Sequence, residues 1–171
     1  NVSLTISDGE KLAVVGRNGA GKSTFIKLLC RLYEPTEGKI LYNGTDISTI
    51  CYADYVRLLS VVFQDYRLFA FSVKDNMVLN QEYDASKAEE AVRKSGLQKK
   101  IDTLPQGIDT SVGREFDENG IEFSGGEGQK LVMARAYYRD APIVILDEPT
   151  AALDAASESE IYMHFKEIMG D

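Results

Sequence analysis

The chain has 171 residues, of which 44% are apolar, and a formal net charge of -8. These values predict one globular domain with a buried core and exclude a disordered tail. The acidic balance excludes the basic surface of a dedicated nucleic-acid-binding protein, so no nucleic acid is expected as a partner.

The chain also lacks the features of a secreted or membrane-spanning protein. Its two cysteines, Cys30 and Cys51, are too few for a disulfide framework and fit a reducing compartment such as the cytosol. No apolar run approaches the roughly 18 residues that cross a bilayer, which predicts a soluble domain. The chain begins Asn1-Val2-Ser3-Leu4 without an initiator Met or a signal pattern, and we interpret it as a fragment of a longer protein.

The predicted strands are of two kinds. Residues 2–6 alternate apolar and polar side chains, which indicates a half-buried strand. Residues 12–15, 60–63 and 143–146 are short, continuous and apolar, which is typical of strands covered on both faces in a parallel sheet. Such strands require helices around them.

Helices are predicted between and after these strands, and the alternation indicates an α/β architecture. A buried helical stripe is formed by Phe25, Leu28, Leu29 and Leu32. A second helix is predicted over residues 86–95, where Ser86 and Glu89 fit a capping box and Gly96 is a stop signal. Two more are predicted over residues 124–138 and 155–169. The polar stretch from 105 to 120 is predicted to be a long surface loop.

Polar residues and glycine follow the three buried strands. The first strand leads into Gly16, the second into Gln64 and the third into Asp147-Glu148. In open α/β sheets, ligands bind outside the carboxyl ends of the strands. The sequence therefore predicts a binding site at that edge.

The segment after the first of these strands predicts phosphate binding. Gly16-Arg17-Asn18-Gly19-Ala20-Gly21-Lys22-Ser23 fits the pattern G-x-x-x-x-G-K-[ST]. Its glycines allow backbone N–H groups to point at phosphate oxygens, and the following helix presents its positive N-terminus to the same anion. Lys22 adds a charge for the β and γ phosphates, and Ser23 adds a hydroxyl for Mg²⁺.

Two further motifs add to the predicted site, and the first of them indicates hydrolysis. Asp147 at a strand end can hold Mg²⁺, and the adjacent Glu148 can accept a proton from an attacking water. Ser124-Gly125-Gly126 opens a predicted helix and offers a second anion site.

Together these motifs resemble the nucleotide-binding domain of an ABC transporter. In the order of that family, they are Walker A at 16–24, the Q-loop residue Gln64, a signature at 123–130, Walker B at 143–148 and a D-loop at 152–154. The resemblance implies a P-loop NTPase core, mainly a parallel sheet flanked by helices, formed by residues 1–66 and 140–171. An inserted helical subdomain would span 67–139 and carry the signature, and the core would be truncated at both ends.

The resemblance also implies ATP and Mg²⁺ as ligands. The implied nucleotide-binding residues are Gly16, Asn18, Gly19, Ala20, Gly21, Lys22, Ser23, Thr24, Ser124, Gly125, Gly126 and Asp154. The implied Mg²⁺ ligands are Ser23, Gln64 and Asp147, and the implied catalytic residues are Glu148, as general base, and Gln64.

Domains of this family dimerise head to tail, so a second nucleotide-binding domain and a transmembrane domain are the implied partners. Residues 68–76 and 104–113 are similar to segments of exporters, which implies an ATPase that drives transport at the cytoplasmic face of the membrane. Phe69, Phe71 and Val73 either receive a helix of the membrane domain or pack in the core. The alternatives are a soluble ABC-type ATPase that acts on ribosomes or DNA, and a P-loop kinase or GTPase.

Some positions depart from the family pattern. The usual signature Leu and Gln are Phe123 and Glu127, and Gly128 lies in the first helical turn, where glycine is unfavourable. The aromatic residue that stacks on adenine is expected before the first residue and the switch histidine after the last, and His164 is expected to be structural or exposed. We therefore expect the fragment alone to bind nucleotide weakly and to hydrolyse it poorly.

Overall fold

The computed structural model describes residues 2–17 and 19–147. The chain divides into two compact units, residues 1–51 and 52–171. The division at residue 51 differs from the boundaries expected for a helical insert, which stay a prediction. Among the described residues, no helix is both long and apolar enough to cross a membrane.

The first unit contains one helix and one hairpin. Helix α1 spans Lys22–Leu29, and strands β1 (Leu41–Tyr42) and β2 (Thr45–Asp46) pair in antiparallel fashion. Asn43 and Gly44 connect the strands with φ of 48° and 81°, the conformation that a two-residue hairpin turn requires. A short 3-10 turn, Ile47–Thr49, follows.

Two predicted strands are absent from the described part of this unit. Residues 2–15 form neither helix nor strand, and Val15 is 92% exposed. A strand exists only through hydrogen bonds to a neighbour, and among the described residues no strand pairs with 12–15. The predicted burial of that segment is therefore wrong for this structure, because an apolar run alone supplies no partner.

Helix α1 is shorter than its apolar stripe predicted. It ends at Leu29, because Arg31 adopts a left-handed backbone with φ of 54°. Leu32 consequently lies beyond the helix and is half-exposed.

The second unit carries most of the regular structure. Its elements in chain order are α2 (Tyr52–Arg57), β3 (Leu59–Val62), α3 (Val73–Val78), α4 (Ala85–Lys94), α5 (Gln98–Ile101), a 3-10 turn (Gly107–Asp109), α6 (Gly125–Arg139) and β4 (Ile143–Leu146). Strands β3 and β4 pair in parallel, from Leu59 opposite Ile143 to Val62 opposite Leu146. This pairing confirms both predicted strands, with β3 beginning one residue earlier than expected. The predicted cover on both faces is wrong for β4, because Val144 is 41% exposed.

Helix α6 is the centre of this unit and packs against α3, α4 and β3. Its predicted bounds are correct to within one residue. The main core of this unit consists mostly of apolar residues from α3, α4 and α6. Its members are Val73, Met77, Val78, Ala88, Ala91, Val92, Leu97, Ile101, Val112, Leu131, Ala134 and Tyr138.

The second predicted helix is present as α4, but its predicted cap is wrong. Asp84, not Ser86, accepts the hydrogen bond from Lys87 N, at 2.9 Å. The Tyr138 hydroxyl accepts from Asp84 N at 2.8 Å and so fixes the cap two residues before the expected one. The predicted stop at Gly96 is confirmed, with φ of 68°.

The segment from 105 to 120 is less exposed than predicted. Thr110 and Val112 are buried, and bridges join Ser72 to Ser111 and Val112 to Ile121. The acidic part around residues 115–119 is mostly exposed, as are residues 105, 106, 109 and 114, so the expected surface loop is present in part. The helix predicted over 155–169, with His164, lies outside the described residues.

Candidate functional site

The phosphate-binding motif forms a loop that leads directly into α1. Gly19 and Gly21 have φ of 80° and 97°, in the left-handed region that favours glycine. A Cβ at Gly16 would lie 3.2 Å from that of Ala20, so the loop closes tightly on itself. The Lys22 ammonium donates to the carbonyl of Gly16 at 2.9 Å.

This loop can hold an anion. The space where Gly19 or Gly21 would carry a Cβ is open, and the first turn of α1 contains no acidic residue. Helix N-terminal amides and a lysine at the loop supply positive charge on one side of an open cradle. Ser23 and Thr24 are exposed in the first turn of the same helix, whereas Asn18 lies outside the described residues.

In the second unit, two predicted site residues follow the ends of paired strands. Gln64 is exposed in the turn after β3, and Asp147 follows β4 directly. The Asp147 backbone N–H donates to the carbonyl of Val62 at 2.8 Å, which fixes the residue at the end of the parallel pair. Asp147 is only 9% exposed. The sheet thus brings both residues to one edge, as the sequence predicted.

The signature segment forms the capped start of α6. Ser124 Oγ accepts from Glu127 N at 3.3 Å, and Glu127 Oε2 accepts from Ser124 N at 2.9 Å. Glu127 therefore completes a capping box, a pattern that satisfies two helix-terminal donors. The departure at Glu127 is visible in the sequence, but this function of its carboxylate was not predicted.

Lys100 neutralises the charge of this carboxylate. Its ammonium lies 3.0 Å from Glu127 Oε1 and 5.4 Å from the centroid of the Phe123 ring. Partial burial by itself raises the pKa of Glu127, but the hydrogen bonds from Ser124 and Lys100 outweigh it and hold the pKa below its usual range. Both unusual signature residues thus contact the same lysine.

Tyr66 was missed by the sequence analysis. Its hydroxyl donates to the carbonyl of Gly125 at 2.8 Å, joining the segment after Gln64 to the first turn of α6. A Cβ on Gly128 would lie 3.0 Å from the same hydroxyl. Gly128, a poor helix former in a first turn, was the available signal that a side chain packs there.

An apolar surface lies beside this segment. Phe69 and Phe71 are 46% and 59% exposed, while Val73 is fully buried in the core. Asn76 is buried beneath them, accepting from Phe69 N and donating to the Phe69 carbonyl, both at 2.8 Å. The Arg135 guanidinium lies 5.7 Å from the Phe69 ring centroid.

The predicted site residues are therefore divided between the two units. The phosphate loop belongs to residues 1–51, while Gln64, Asp147 and the signature residues belong to the second unit. Glu148 and Asp154 lie outside the described residues. Among the described residues, no three potential metal-ligating side chains lie together in one group.

Comparison with known proteins finds relatives along almost the whole chain. The sequence profile of the family described as "ABC transporter" matches residues 1–151. An ATP-dependent lipid A-core flippase of Cupriavidus metallidurans is 39% identical over 173 aligned positions, covering 99% of this chain and 28% of the flippase. The colicin V secretion/processing ATP-binding protein CvaB of Escherichia coli is 39% identical over 166 positions, covering 96% of this chain and 23% of CvaB.

A solved structure agrees with these relatives. A bacterial Atm1-family ABC exporter with ATP bound has a TM-score of 0.84 to this chain and 34% identity, covering 96% of this chain and 28% of the exporter chain. The chain spans about a quarter of the length of the curated relatives named above. With its motif order, its parallel strand pair and these matches, the chain belongs to the ABC transporter family.

Proposed function

We propose that this chain binds and hydrolyses ATP as the motor domain of a transporter that exports its substrate from the cytoplasmic face of a membrane. The observation that carries the proposal is the glycine loop closed by Lys22 at the start of α1. Such a loop binds the phosphates of a nucleotide through backbone N–H groups, helix N-terminus and ammonium together. The exporter relatives support the coupling to transport.

In this proposal the triphosphate lies over residues 16–24, with Asn18 contributing from the part of the loop outside the described residues. Lys22 now donates to the Gly16 carbonyl, and it would exchange this acceptor for phosphate oxygens. Because the chain carries a net charge of -8, its overall field does not attract ATP. The loop amides and Lys22 must therefore supply the attraction locally.

Mg²⁺ would be held by Ser23, Gln64 and Asp147. A hydroxyl, an amide oxygen and a carboxylate are the oxygen ligands that this ion prefers. The position of Asp147 supports this proposal, because its backbone N–H donates to the Val62 carbonyl and holds the residue at the end of the parallel pair. When bound, Mg²⁺ would neutralise negative charge on the phosphate oxygens.

Glu148 is the proposed general base, which would accept a proton from the attacking water, and Gln64 would orient that water. Asp147 directly precedes Glu148, and its backbone N–H donates to the carbonyl of Val62 in β3. This hydrogen bond supports the proposal, because it fixes the main chain immediately before Glu148. Asp154 would line the contact with a second nucleotide-binding domain.

The signature residues would bind the nucleotide held by that second domain. Ser124 Oγ accepts the Glu127 N–H, and its own proton is then available to a phosphate oxygen. Gly125 and Gly126 present helix-terminal amides without side chains. Because Lys100 pairs with Glu127, the acidic signature position repels a triphosphate less than an unpaired carboxylate would.

The transmembrane domain would contact the exposed Phe69 and Phe71. These rings line a shallow cavity with Asp75, Leu79 and Asn80, and the buried Asn76 fixes the main chain that carries them. Large exposed aromatic side chains are typical of protein contacts. Val73 does not belong to this surface, because it is fully buried.

The comparisons do not favour the soluble ABC-type ATPase that acts on ribosomes or DNA, since the relatives named above are a flippase, a secretion protein and an exporter. The kinase or GTPase alternative is tested by nucleotide binding. We expect ATP to bind to the full-length protein more tightly than GTP, and Lys22→Ala to weaken ATP binding. Equal binding of ATP by the variant and the wild type would refute the proposed phosphate site.

A further inference from the structure

The Tyr66 hydroxyl connects two segments that the proposed function places at the nucleotide. Tyr66 lies two residues after Gln64, and its hydroxyl donates to the carbonyl of Gly125 at 2.8 Å. Gly125 is the first residue of α6 and belongs to the signature. A hydrogen bond from a half-buried side chain thus spans 59 positions of sequence.

Gly128 provides the space for this contact. A Cβ at that position would lie 3.0 Å from the Tyr66 hydroxyl oxygen and 3.4 Å from the ring atom Cε2. A contact of 3.0 Å is shorter than ordinary van der Waals separation, so the tyrosine would have to shift. The tyrosine ring explains why a residue unfavourable in helices lies in the first turn of α6.

The ring is also held from the side of the sheet. Tyr66 packs against a buried cluster that consists of Val62, Val132, Met133 and Ala136, and so joins β3 to α6. A tyrosine with a packed ring and a paired hydroxyl has few alternative positions. The contact can therefore transmit a displacement of one segment to the other.

We propose that Tyr66 is a positioning residue that fixes the turn carrying Gln64 relative to the first turn of α6, and that ATP hydrolysis depends on this connection. The inference rests on the proposed function, because Gln64 and the signature would act on nucleotides held at the two sites of the dimer. Tyr66 itself contacts no nucleotide in this proposal. It acts by holding the carbonyl of Gly125.

The first test is Tyr66→Phe in the full-length transporter, which removes only the hydroxyl. We expect kcat for ATP hydrolysis to fall by about threefold to tenfold, the range of one neutral hydrogen bond. The KM for ATP should stay unchanged, because the substitution leaves the phosphate loop intact. A purely structural effect would instead lower stability while preserving kcat per folded molecule.

Tyr138→Phe is the matched control, because it makes the same chemical change near the other end of α6. The Tyr138 hydroxyl donates to the Glu82 carbonyl at 2.6 Å and accepts from Asp84 N at 2.8 Å. We expect this variant to lose stability without a change in kcat. Wild-type kcat in Tyr66→Phe, or an equal loss in both variants, would overturn the inference.

Hydrogen exchange without nucleotide supplies a readout that does not depend on activity. Tyr66→Phe should speed exchange in residues 64–68 and 125–131 together, whereas Tyr138→Phe should leave the second segment unchanged. Unaltered exchange in both segments of Tyr66→Phe would overturn the inference. If the wild-type protein failed to hydrolyse ATP, the proposed function would be wrong, and the exchange result would still decide whether the connection exists.

Gly128→Ala tests the geometry from the opposite side. In the wild-type background, the added methyl group should displace the hydroxyl and reproduce the loss of kcat. Combined with Tyr66→Phe, it should have no further effect, because the closest contact has been removed. Additive losses in the double variant would contradict the described packing.

Discussion

The ion pair between Lys100 and Glu127 gives the sharpest stability prediction. Glu127→Gln removes the charge but keeps an oxygen that can accept from Ser124 N. The side chains of Lys100 and Glu127 are 23% and 32% exposed, so solvent screens their attraction. We expect a coupling of about 0.5 kcal/mol from the pair and a further loss of about 0.5 kcal/mol from the helix N-terminus.

The pH dependence follows from the direction of the Glu127 shift. The fold holds the pKa of Glu127 below its ordinary value of 4.5, so the ionised carboxylate is stabilised more in the folded state than in the unfolded state. This contribution is fully present above the unfolded-state pKa and is lost as pH falls through the folded-state pKa. The difference in stability between wild type and Glu127→Gln should therefore be constant near neutral pH and shrink in acid.

The assay is a double-mutant cycle of Glu127→Gln and Lys100→Met, read as free energies of unfolding in urea at several pH values. The matched control is the cycle of Glu90→Gln and Lys94→Met, which breaks the more exposed pair of Glu90 with Lys94 and should show a smaller coupling. A coupling of zero at neutral pH would refute this account of the signature. A stability difference that persisted unchanged in acid would also contradict it.

Three further predictions concern single positions. Gly21→Ala forces a side chain into a left-handed backbone and should lower the free energy of unfolding by about 1 kcal/mol. It should also weaken ATP binding, measured by calorimetry. Gly38→Ala places the same strain outside the phosphate loop and should leave ATP binding unchanged. Asp84→Ala should lower the free energy of unfolding in urea by about 1 kcal/mol and Ser86→Ala by much less, and the reverse order would show that the described cap is wrong. Asn76→Ala should cost about 1 kcal/mol in the same assay because it leaves partly buried backbone groups of Phe69 unpaired, and a neutral effect would contradict the described hydrogen bonds.

Local patterns in the sequence predicted the elements whose signals are local. Helix α6 and strand β4 were predicted to within a residue, because a Ser-Gly-Gly helix start and a β-branched run are each signals that lie within a few positions. The paired ends of β3 and β4 also follow from sequence, since parallel strands bring Gln64 and Asp147 to one edge. The motif order was sufficient to identify the family.

Contacts between distant segments were not predictable in the same way. The cap of α4 was misplaced because its true position is fixed by Tyr138, 54 residues away from Asp84. Tyr66 and Lys100 have no motif, and only the structure brings them to the start of α6. The strand predicted over 12–15 failed because an apolar run does not specify its hydrogen-bonding partner.

We propose that this chain is an ATPase whose general base is Glu148. The most direct test is the rate of phosphate release by the full-length transporter carrying Glu148→Gln, measured beside the wild type with saturating ATP and Mg²⁺. We expect the variant to bind ATP as tightly as the wild type but to lose nearly all turnover. Turnover close to that of the wild type would contradict the assignment of the base and, with it, the proposed mechanism.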